Sequence, residues 1–336
     1  MLFSGLKKII AGIIVLIQIV ATMAQGDPAG TPVVVNQNAT NQYITVYGKP
    51  LIFAHRSGAG IAPQNTLMAY QECLDSTDFD IDVFEGDVQI TKDGQLVFLH
   101  NSTYDSTSNA VEAFGHDKIK PSDYTFEQLQ VLNLGENFSV NGVYPYRGLR
   151  GKDIPQNLRV MKVEDILDYV LAHEKKDYHF SIEIKSLSVW GCRAADRLHK
   201  ILVERNLVNK TIVSTFVPAV KSYIIKKYPD LQRAAAAGEA IQFYFYCREG
   251  KDLNKLHVTY TVLHLPYGTN VMPKTKDGKS IGNFGTREVI NYAHKYNLAV
   301  QFWTVNNAAD MLYLKDNGAD AIMTDYPDLA CKTLGR

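Results

Sequence analysis

The chain has 336 residues, of which 46% are hydrophobic, and its 35 lysines and arginines balance its 35 aspartates and glutamates. This composition is typical of a globular protein, with enough length for one large domain or two small ones. The net charge of zero argues against a nucleic acid or an acidic membrane as a partner recruited by bulk electrostatics.

The N-terminus has the order of features that secretory signal peptides show. Lys7 and Lys8 precede an uncharged apolar run, residues 9–21, and small residues follow it. We predict a signal peptide over residues 1–24 and a flexible leader over residues 25–43. An uncleaved anchor is the alternative, although the apolar run is short for a membrane span. We therefore expect an exported protein, periplasmic or secreted, without stable membrane association after cleavage.

Short β-rich runs alternate with helical patterns along the rest of the chain. The predicted strands are Leu51–His55, Asp82–Ile90, Leu96–His100, Tyr178–Ile184, Thr211–Thr215, Gln232–Ala236, Val258–His264, Ala299–Thr304 and Ala321–Met323. The predicted helices are Leu67–Leu74, Val163–Glu174, Arg193–Arg205, Pro218–Lys227, Thr286–Tyr296 and Ala308–Asn317. Such alternation predicts an α/β fold, a (β/α)8 barrel, as one domain over residues 44–336. A doubly wound open sheet is the alternative, although no GxGxxG motif follows the first strand.

Two segments interrupt this rhythm. Asp93-Gly94 is a tight-turn signal, and too few residues separate the strands on either side for a parallel crossover. We therefore predict an antiparallel hairpin that brings Asp87 near His100. Residues 101–160 carry few strand signals, and loops of that length are usually functional or independently folded. We expect this insertion to lie over one mouth of the barrel.

The four cysteines, Cys73, Cys192, Cys247 and Cys331, form no CxxC pair, which argues against a zinc site. Export permits disulfides, and four cysteines allow three pairings. Buried free thiols are an equal alternative, so no particular bridge is predicted.

Acidic side chains recur near the ends of the predicted strands. Glu85 and Asp87 lie two residues apart and so leave the same face of a strand, and Glu183 and Lys185 have the same spacing. The carboxyl ends of barrel strands open at one rim, so we expect these side chains to share a pocket. Grouped carboxylates repel each other unless a cation lies among them, and hard oxygen ligands indicate Mg²⁺ or Ca²⁺. A structural ion pair between Lys185 and Glu183 is the alternative.

Basic side chains stand at two other strand ends. His55 and Arg56 end the first predicted strand, and His100 ends the third. Two histidines beside a divalent ion suit acid–base chemistry near neutral pH. Arg56 and Lys185 supply fixed positive charge that, together with a metal ion, would hold the oxygens of a phosphate. The residue set therefore indicates a phosphodiester as the substrate.

Five segments, in this order, resemble the signature of the glycerophosphodiester phosphodiesterases. They are HRSGAGIAPQNT, FEGDVQITKDGQLVFLH, SIEIK, FWTVN and GADAIMTDYPD, and they span about residues 52–328. The resemblance implies a TIM-type barrel with a family insertion after the second histidine. It also implies metal-dependent hydrolysis of glycerophosphodiesters to glycerol 3-phosphate and an alcohol.

The resemblance further implies roles for individual residues and a cofactor, a divalent cation that is either Ca²⁺ or Mg²⁺. The implied general acid and base are His55 and His100. The implied metal ligands are Glu85, Asp87 and Glu183. The implied phosphate- and substrate-binding residues are Arg56, Lys185, Asn65, Trp303 and Asn306.

Three positions depart from the family pattern. Ser57 replaces a glycine, Gln64 replaces the glutamate of the PENT motif, and Asn101 replaces the aspartate after the second histidine. We expect these changes to alter metal affinity or substrate preference. Since the proposed carboxylates and histidines are present, we expect activity.

Two other functions fit the same residues. One is a lipid phosphodiesterase of the lysophospholipase D or sphingomyelinase D type, for which the apolar run IQFYFYC, residues 241–247, and the tyrosine-rich insertion leave room. The other is an exported binding protein that keeps the fold without turnover. The expected partner is a small-molecule glycerophosphodiester and not a nucleic acid, and no protein partner is predicted.

Overall fold

The computed structural model describes residues 39–173, 175–267 and 282–336, in which strands and helices alternate. The strands there are β1 (Leu51–Ala54), β2 (Val83–Ile90), β3 (Leu96–Phe98), β4 (His179–Ile184), β5 (Thr211–Ser214), β6 (Gln232–Arg233), β7 (Val262–Pro266), β8 (Ala299–Trp303) and β9 (Ala321–Thr324). The α-helices there are α1 (Leu67–Asp75), α2 (Ala110–Phe114), α3 (Val163–Leu171), α4 (Ser188–Glu204), α5 (Pro218–Lys227), α6 (Ala237–Arg248), α7 (Arg287–Lys295), α8 (Ala308–Asn317) and α9 (Pro327–Leu334). Short 3₁₀ turns occupy residues 55–57, 121–123, 128–131, 151–153, 156–158, 208–210 and 253–255.

Eight parallel strands form a nearly closed barrel, in the order β6-β5-β4-β2-β1-β9-β8-β7. A parallel bridge between Ala234 and Val262 joins the two ends of this order. The (β/α)8 prediction is therefore confirmed. β3 lies outside the barrel order and pairs antiparallel with β2, with Val88 opposite Phe98, so the predicted hairpin is also confirmed.

The apolar side chains form two main cores because successive residues of a strand face opposite sides. In β2, Phe84 packs in the large core between the barrel and its helices. Val83 packs with Phe53 in a smaller core that fills the bottom of the barrel interior. The next two inward positions of β2, toward its carboxyl end, belong to Glu85 and Asp87, which are buried without joining either apolar core.

Polar caps fix where several helices begin. The Thr66 side chain accepts a hydrogen bond from an amide in the first turn of α1, and Thr286 does the same for α7. Asn307 caps α8, which ends at Gly318 with a φ of 94°. That left-handed conformation favours glycine, and it stops the helix before β9.

The last residues of the predicted leader pack against the barrel. Tyr43 is buried in the core at the bottom of the barrel. The Asn41 side-chain amide donates to the carbonyls of Thr261 and Asn297, at 2.7 and 3.0 Å. The end of the predicted leader therefore contacts the barrel, with an aromatic side chain that packs into its lower core. The predicted signal peptide and residues 25–38 lie outside the described residues.

Three of the described helices were not predicted: α2, α6 and α9. The run at residues 241–247 lies within α6, where Phe243 packs against Tyr292 of α7 with ring centroids 5.4 Å apart. Its aromatic residues favour a strand locally, but packing on the outside of the barrel makes them helical. Other boundaries differ by a few residues: α4 begins at Ser188, and β7 runs from Val262 to Pro266.

The insertion, residues 101–160, has a small core of its own. Tyr104, Leu129 and Leu132 are buried in it, against Val97 of β3. The segment also reaches the rim of the barrel, where Leu134 and other insertion residues border a small cavity together with residues of the loop after β1. The insertion therefore folds as an appendage of the β2–β3 hairpin beside the mouth.

The part of the chain that the structure describes has no helix with the length and apolar character that crossing a bilayer requires. All four cysteines lie in that part, and each is a free thiol. Three of them are buried: Cys73, Cys247 and Cys331. The alternative of free thiols therefore holds in this structure.

We expect Tyr43→Ala to lower the free energy of unfolding by about 3 kcal/mol, because it would leave a cavity in the core at the bottom of the barrel. Chemical denaturation followed by circular dichroism measures this change. Val46→Ala is the matched control, since that side chain is 70% exposed, and it should cost less than about 0.5 kcal/mol. Equal effects of the two substitutions would show that Tyr43 does not hold the barrel closed.

Candidate active site

A cavity of about 290 Å³ lies at the carboxyl ends of the barrel strands. Eight of the ten predicted site residues line it: His55, Arg56, Glu85, Asp87, His100, Glu183, Lys185 and Trp303. The exceptions are Asn65 and Asn306, which lie behind the wall. Asn65 donates to Asp87 at 3.1 Å, and Asn306 donates to Asp325 at 2.6 Å.

The three carboxylates come from two neighbouring strands. In the parallel pairing of β2 with β4, Asp87 lies opposite Glu183. Glu85 is two residues before Asp87, so all three side chains face the barrel interior. Parallel strands lie about 4.8 Å apart, so three negative charges share a small volume.

Lys185 lies between two of these carboxylates. Its Nζ is 2.8 Å from Glu183 Oε1 and 3.2 Å from Asp87 Oδ1. Arg56 Nε approaches Asp87 from another side, at 3.8 Å from Oδ2. Burial raises the pKa of Asp87, but the positive charges of Lys185 and of other neighbours outweigh it and hold that pKa below its ordinary value. The ion pair expected as an alternative role of Lys185 is therefore present, and it includes Asp87.

Within the described part of the chain, Glu85 has no lysine or arginine side chain at contact distance. Its Oε2 accepts a hydrogen bond from the backbone N–H of Arg56, at 2.7 Å. Burial, followed by the charge of Asp87, raises the pKa of Glu85 to about 7. This carboxylate is the one that would gain most from a further positive charge in the cavity.

The loop after β1 has an unusual backbone that places Arg56 in the site. Arg56 and Ser57 have φ of 48° and 64°, and Gly58 follows with 96°. The left-handed region is costly for residues with a side chain, and Ser57 stands where the sequence resemblance implies a glycine. The Arg56 side chain also donates from Nη1 to Gln64 Oε1, at 2.8 Å. Gln64 therefore orients the guanidinium without adding a negative charge.

His55 is held by an acidic partner from the far end of the chain. Its Nδ1 lies 2.6 Å from Asp325 Oδ1, and Asn306 donates to the other oxygen of that carboxylate. Burial lowers the pKa of His55, but the bond with Asp325 and the charges of Glu85 and Asp325 outweigh burial and raise that pKa. With Nδ1 bound to Asp325, Nε2 is the nitrogen left for the cavity.

His100 has a neutral partner instead. Its Nδ1 lies 2.9 Å from Asn101 Oδ1, and the Asn101 amide donates to Ser106 Oγ at 2.7 Å. The amide oxygen therefore accepts from Nδ1–H, which leaves Nε2 with its lone pair. Burial lowers the pKa of His100, although the charge of Asp87 acts in the opposite direction. His55 is therefore the better proton donor of the two, and His100 is the better proton acceptor.

The carboxylates fit a hard divalent cation by their chemistry. Glu85 offers buried carboxylate oxygens, one of which accepts a hydrogen bond from the backbone N–H of Arg56. Asp87, two residues further along β2, and Glu183, opposite Asp87 on β4, offer more oxygens of the kind that such cations prefer. As the side chains stand, however, residues 39–173, 175–267 and 282–336 hold no ready-made group of three or more potential metal ligands. Since Lys185 lies between Asp87 and Glu183, its ammonium would have to move for both to bind the same ion.

Sequence reasoning missed three features of the site. Asp325 lies within the last of the five matching segments, but its pairing with His55 was not predicted. His264 of β7 and Phe216 after β5 also line the cavity. The signal for all three is their place at or near the carboxyl end of a barrel strand, where a polar or aromatic residue faces the mouth.

Known proteins share this sequence pattern. A sequence profile of the Glycerophosphoryl diester phosphodiesterase family matches residues 55–329, which include every predicted site residue. A glycerophosphodiester phosphodiesterase from Caldanaerobacter subterraneus subsp. tengcongensis is 28% identical over 281 residues, which are 83% of this chain and 96% of that protein. One from Bacillus subtilis is 26% identical over 284 residues, covering 83% of this chain and 84% of that protein.

Solved structures share the fold. A phosphodiesterase from Oleispira antarctica, solved in complex with the product sn-glycerol-3-phosphate, superposes with a TM-score of 0.60 over 85% of this chain and 97% of its own. A glycerophosphodiester phosphodiesterase from Agrobacterium tumefaciens has a TM-score of 0.58 over 84% of this chain and 99% of its own. The identities are 17% and 18%, so these likenesses establish the barrel architecture.

We expect the His55 imidazole to titrate at higher pH than that of His100 in cation-free protein, because a carboxylate stabilises the imidazolium and an amide does not. NMR titration of the ring resonances measures both. Asn101→Asp should raise the pKa of His100 by about one unit or more. Asp325→Asn, the matched control, should lower the pKa of His55 and leave His100 unchanged. The reverse order of the two histidines in the wild type would contradict this electrostatic reading.

Proposed function

The chain belongs to the Glycerophosphoryl diester phosphodiesterase family, and from that premise we propose that it hydrolyses glycerophosphodiesters to glycerol 3-phosphate and an alcohol. The observation that best supports this proposal is the convergence of side chains on one cavity. The imidazoles of His55 and His100, two cationic side chains and three carboxylates line it together. A phosphodiester needs this combination of charge neutralisation and proton transfer.

Arg56 and Lys185 are the groups that would hold the phosphate. Both approach Asp87, one at each of its two carboxylate oxygens, so both point into the same part of the cavity. Arg56 presents a planar fork of donors, which suits phosphate oxygens. Because Gln64 is neutral, the guanidinium keeps more of its positive charge available than it would beside a glutamate.

The two histidines would divide the proton transfers between them. His55, whose charged form Asp325 stabilises, suits donation of a proton to the leaving alcohol oxygen. His100, kept neutral with Nε2 unprotonated, suits removal of a proton from the attacking hydroxyl. That hydroxyl belongs either to water or to the neighbouring glycerol carbon.

The family generally depends on a divalent cation, and we propose that Glu85, Asp87 and Glu183 hold Ca²⁺ or Mg²⁺. When bound, the cation would neutralise charge that develops on the phosphate oxygens. The buried Glu85 carboxylate, with its raised pKa, supports this assignment. Lys185, released from Glu183, would be free to contact the phosphate.

Neither alternative function gains support from the structure. The run at residues 241–247 lies on a helix outside the barrel, so it does not widen the cavity for a lipid chain. Gln64 accepts a hydrogen bond from Arg56, and Asn101 is hydrogen-bonded to His100, so both residues that depart from the family pattern have partners in the site. The glycerophosphodiester therefore remains the favoured substrate.

We also propose that the protein is exported, to a periplasm or out of the cell. The support is the order of charge, apolar run and small residues over residues 1–24. The mature chain would then be a single barrel domain with its insertion at residues 101–160.

We expect His55→Ala and His100→Ala to lower kcat on glycerophosphocholine by about 10² to 10⁴-fold each. The two variants should differ on the glycerol phosphodiester of p-nitrophenol, whose leaving group needs no proton. There His55→Ala should recover most of the wild-type rate, and His100→Ala should not. Release of choline or p-nitrophenol measures these rates.

Equal losses for the two variants on both substrates would contradict the division of roles. No turnover of any glycerophosphodiester by the wild type, with any divalent cation, would favour the binding-protein alternative. A higher kcat/KM for lysophosphatidylcholine than for glycerophosphocholine would favour the lipid phosphodiesterase.

We expect a chelator to abolish hydrolysis and Glu85→Gln to weaken Ca²⁺ or Mg²⁺ binding at least about tenfold, because a carboxylate ligand becomes a neutral amide. Isothermal titration calorimetry measures the affinity directly. Glu72→Gln, at an exposed glutamate of α1, is the matched control and should leave it unchanged. Full activity in excess chelator would remove the metal from the proposal.

A further inference from the structure

The cavity has two walls of different chemistry. The charged side chains come from β2 and β4 and from the residues that follow β1, β4 and the β2–β3 hairpin. From β5 onward, the described lining residues include no aspartate, glutamate, lysine or arginine. This neutral wall, which includes Thr215, Phe216, His264 and Trp303, is where an uncharged part of a substrate would lie.

His264, on the neutral wall, has one ring nitrogen that is hydrogen-bonded to a neighbour and one that is hydrogen-bonded to no described residue. It lies on β7 opposite Gln301 of β8, and its Nε2 is 2.7 Å from Gln301 Oε1. Gln301 is fully buried, so the bond fixes the ring against the inside of the barrel. In the assigned orientation of the Gln301 amide, its oxygen faces Nε2 and its nitrogen has no described partner, so Nε2 carries the hydrogen and Nδ1 carries a lone pair. No described residue donates a hydrogen bond to Nδ1.

The ring stays uncharged at neutral pH. Burial lowers the pKa of His264 to about 4, although the hydrogen bond with Gln301 acts the other way. No charged side chain of the described residues contributes to that shift. A neutral acceptor cannot bind phosphate oxygens, which are acceptors themselves, but it can bind a hydroxyl group.

We propose that His264 determines specificity by accepting, at Nδ1, a hydrogen bond from a hydroxyl of the glycerol unit of the substrate. This inference rests on the proposed function for the identity of that unit. The phosphate lies against the charged wall and the polyol against the neutral one. His264 then distinguishes a glycerol ester from an ester of the same length without hydroxyls.

Product analogues test this site without turnover. Calorimetry compares the affinity of the wild type for glycerol 3-phosphate and for propyl phosphate, which keeps the chain length and the phosphate but has no hydroxyl. We expect the wild type to prefer glycerol 3-phosphate roughly tenfold to a hundredfold, the range for a buried hydrogen bond with a defined acceptor.

His264→Phe should abolish this preference and leave the affinity for propyl phosphate within about twofold, which also shows that the variant is folded. His264→Gln keeps an acceptor oxygen and should retain part of the preference. It serves as the second variant if the phenylalanine side chain prevents folding.

The inference is overturned if the wild type binds both ligands equally, or if His264→Phe keeps the wild-type preference or weakens both ligands to the same extent. A wild type that prefers glycerol 3-phosphate but releases no alcohol from any glycerophosphodiester would instead refute the proposed function. The two failures are therefore distinguishable.

Discussion

The site depends on one register, the parallel pairing that sets Asp87 of β2 opposite Glu183 of β4. Side chains alternate along each strand, so this pairing also brings Glu85 and Lys185 to the inner face. Buried carboxylates at this spacing are unfavourable unless positive charge lies among them, and Lys185 supplies it. A slip of one residue would turn these groups toward the helices and Phe84 into the cavity, so the same register that packs the core also assembles the site.

The loop after β1 complements that register. Its left-handed residues point the backbone N–H of Arg56 at Glu85 while the guanidinium reaches Asp87. A single residue thus touches two carboxylates through two different groups. Such a backbone is costly, and the packing around the buried Ser57 together with the bond from Arg56 to Glu85 offsets that cost. The left-handed backbone of the loop is thus what allows Arg56 to contact both Glu85 and Asp87.

Periodicity and turn chemistry were enough to predict the barrel, the hairpin and the rim on which the charged residues converge. The contacts that those residues make with distant parts of the chain could not be predicted from local sequence. Asp325 lies 270 positions from His55, and only the pairing of β1 with β9 makes them neighbours. The burial of Tyr43 likewise depends on the closed shape of the barrel, which no nearby residue indicates. Local sequence thus predicts which face a side chain takes, and tertiary closure decides what it meets there.

The charged and the neutral walls of the cavity come from different parts of the chain. The cations and carboxylates that line the cavity precede β5, and the neutral wall follows it. The sheet order places β9 beside β1, so Asp325 reaches back to His55 from the end of the chain. Substitutions in the neutral wall can therefore change which alcohol or polyol fits while the charged wall keeps its register and its proton-transfer groups. In such an arrangement, substrate preference can diverge without loss of the reaction, because the two depend on strands that do not share their inward side chains.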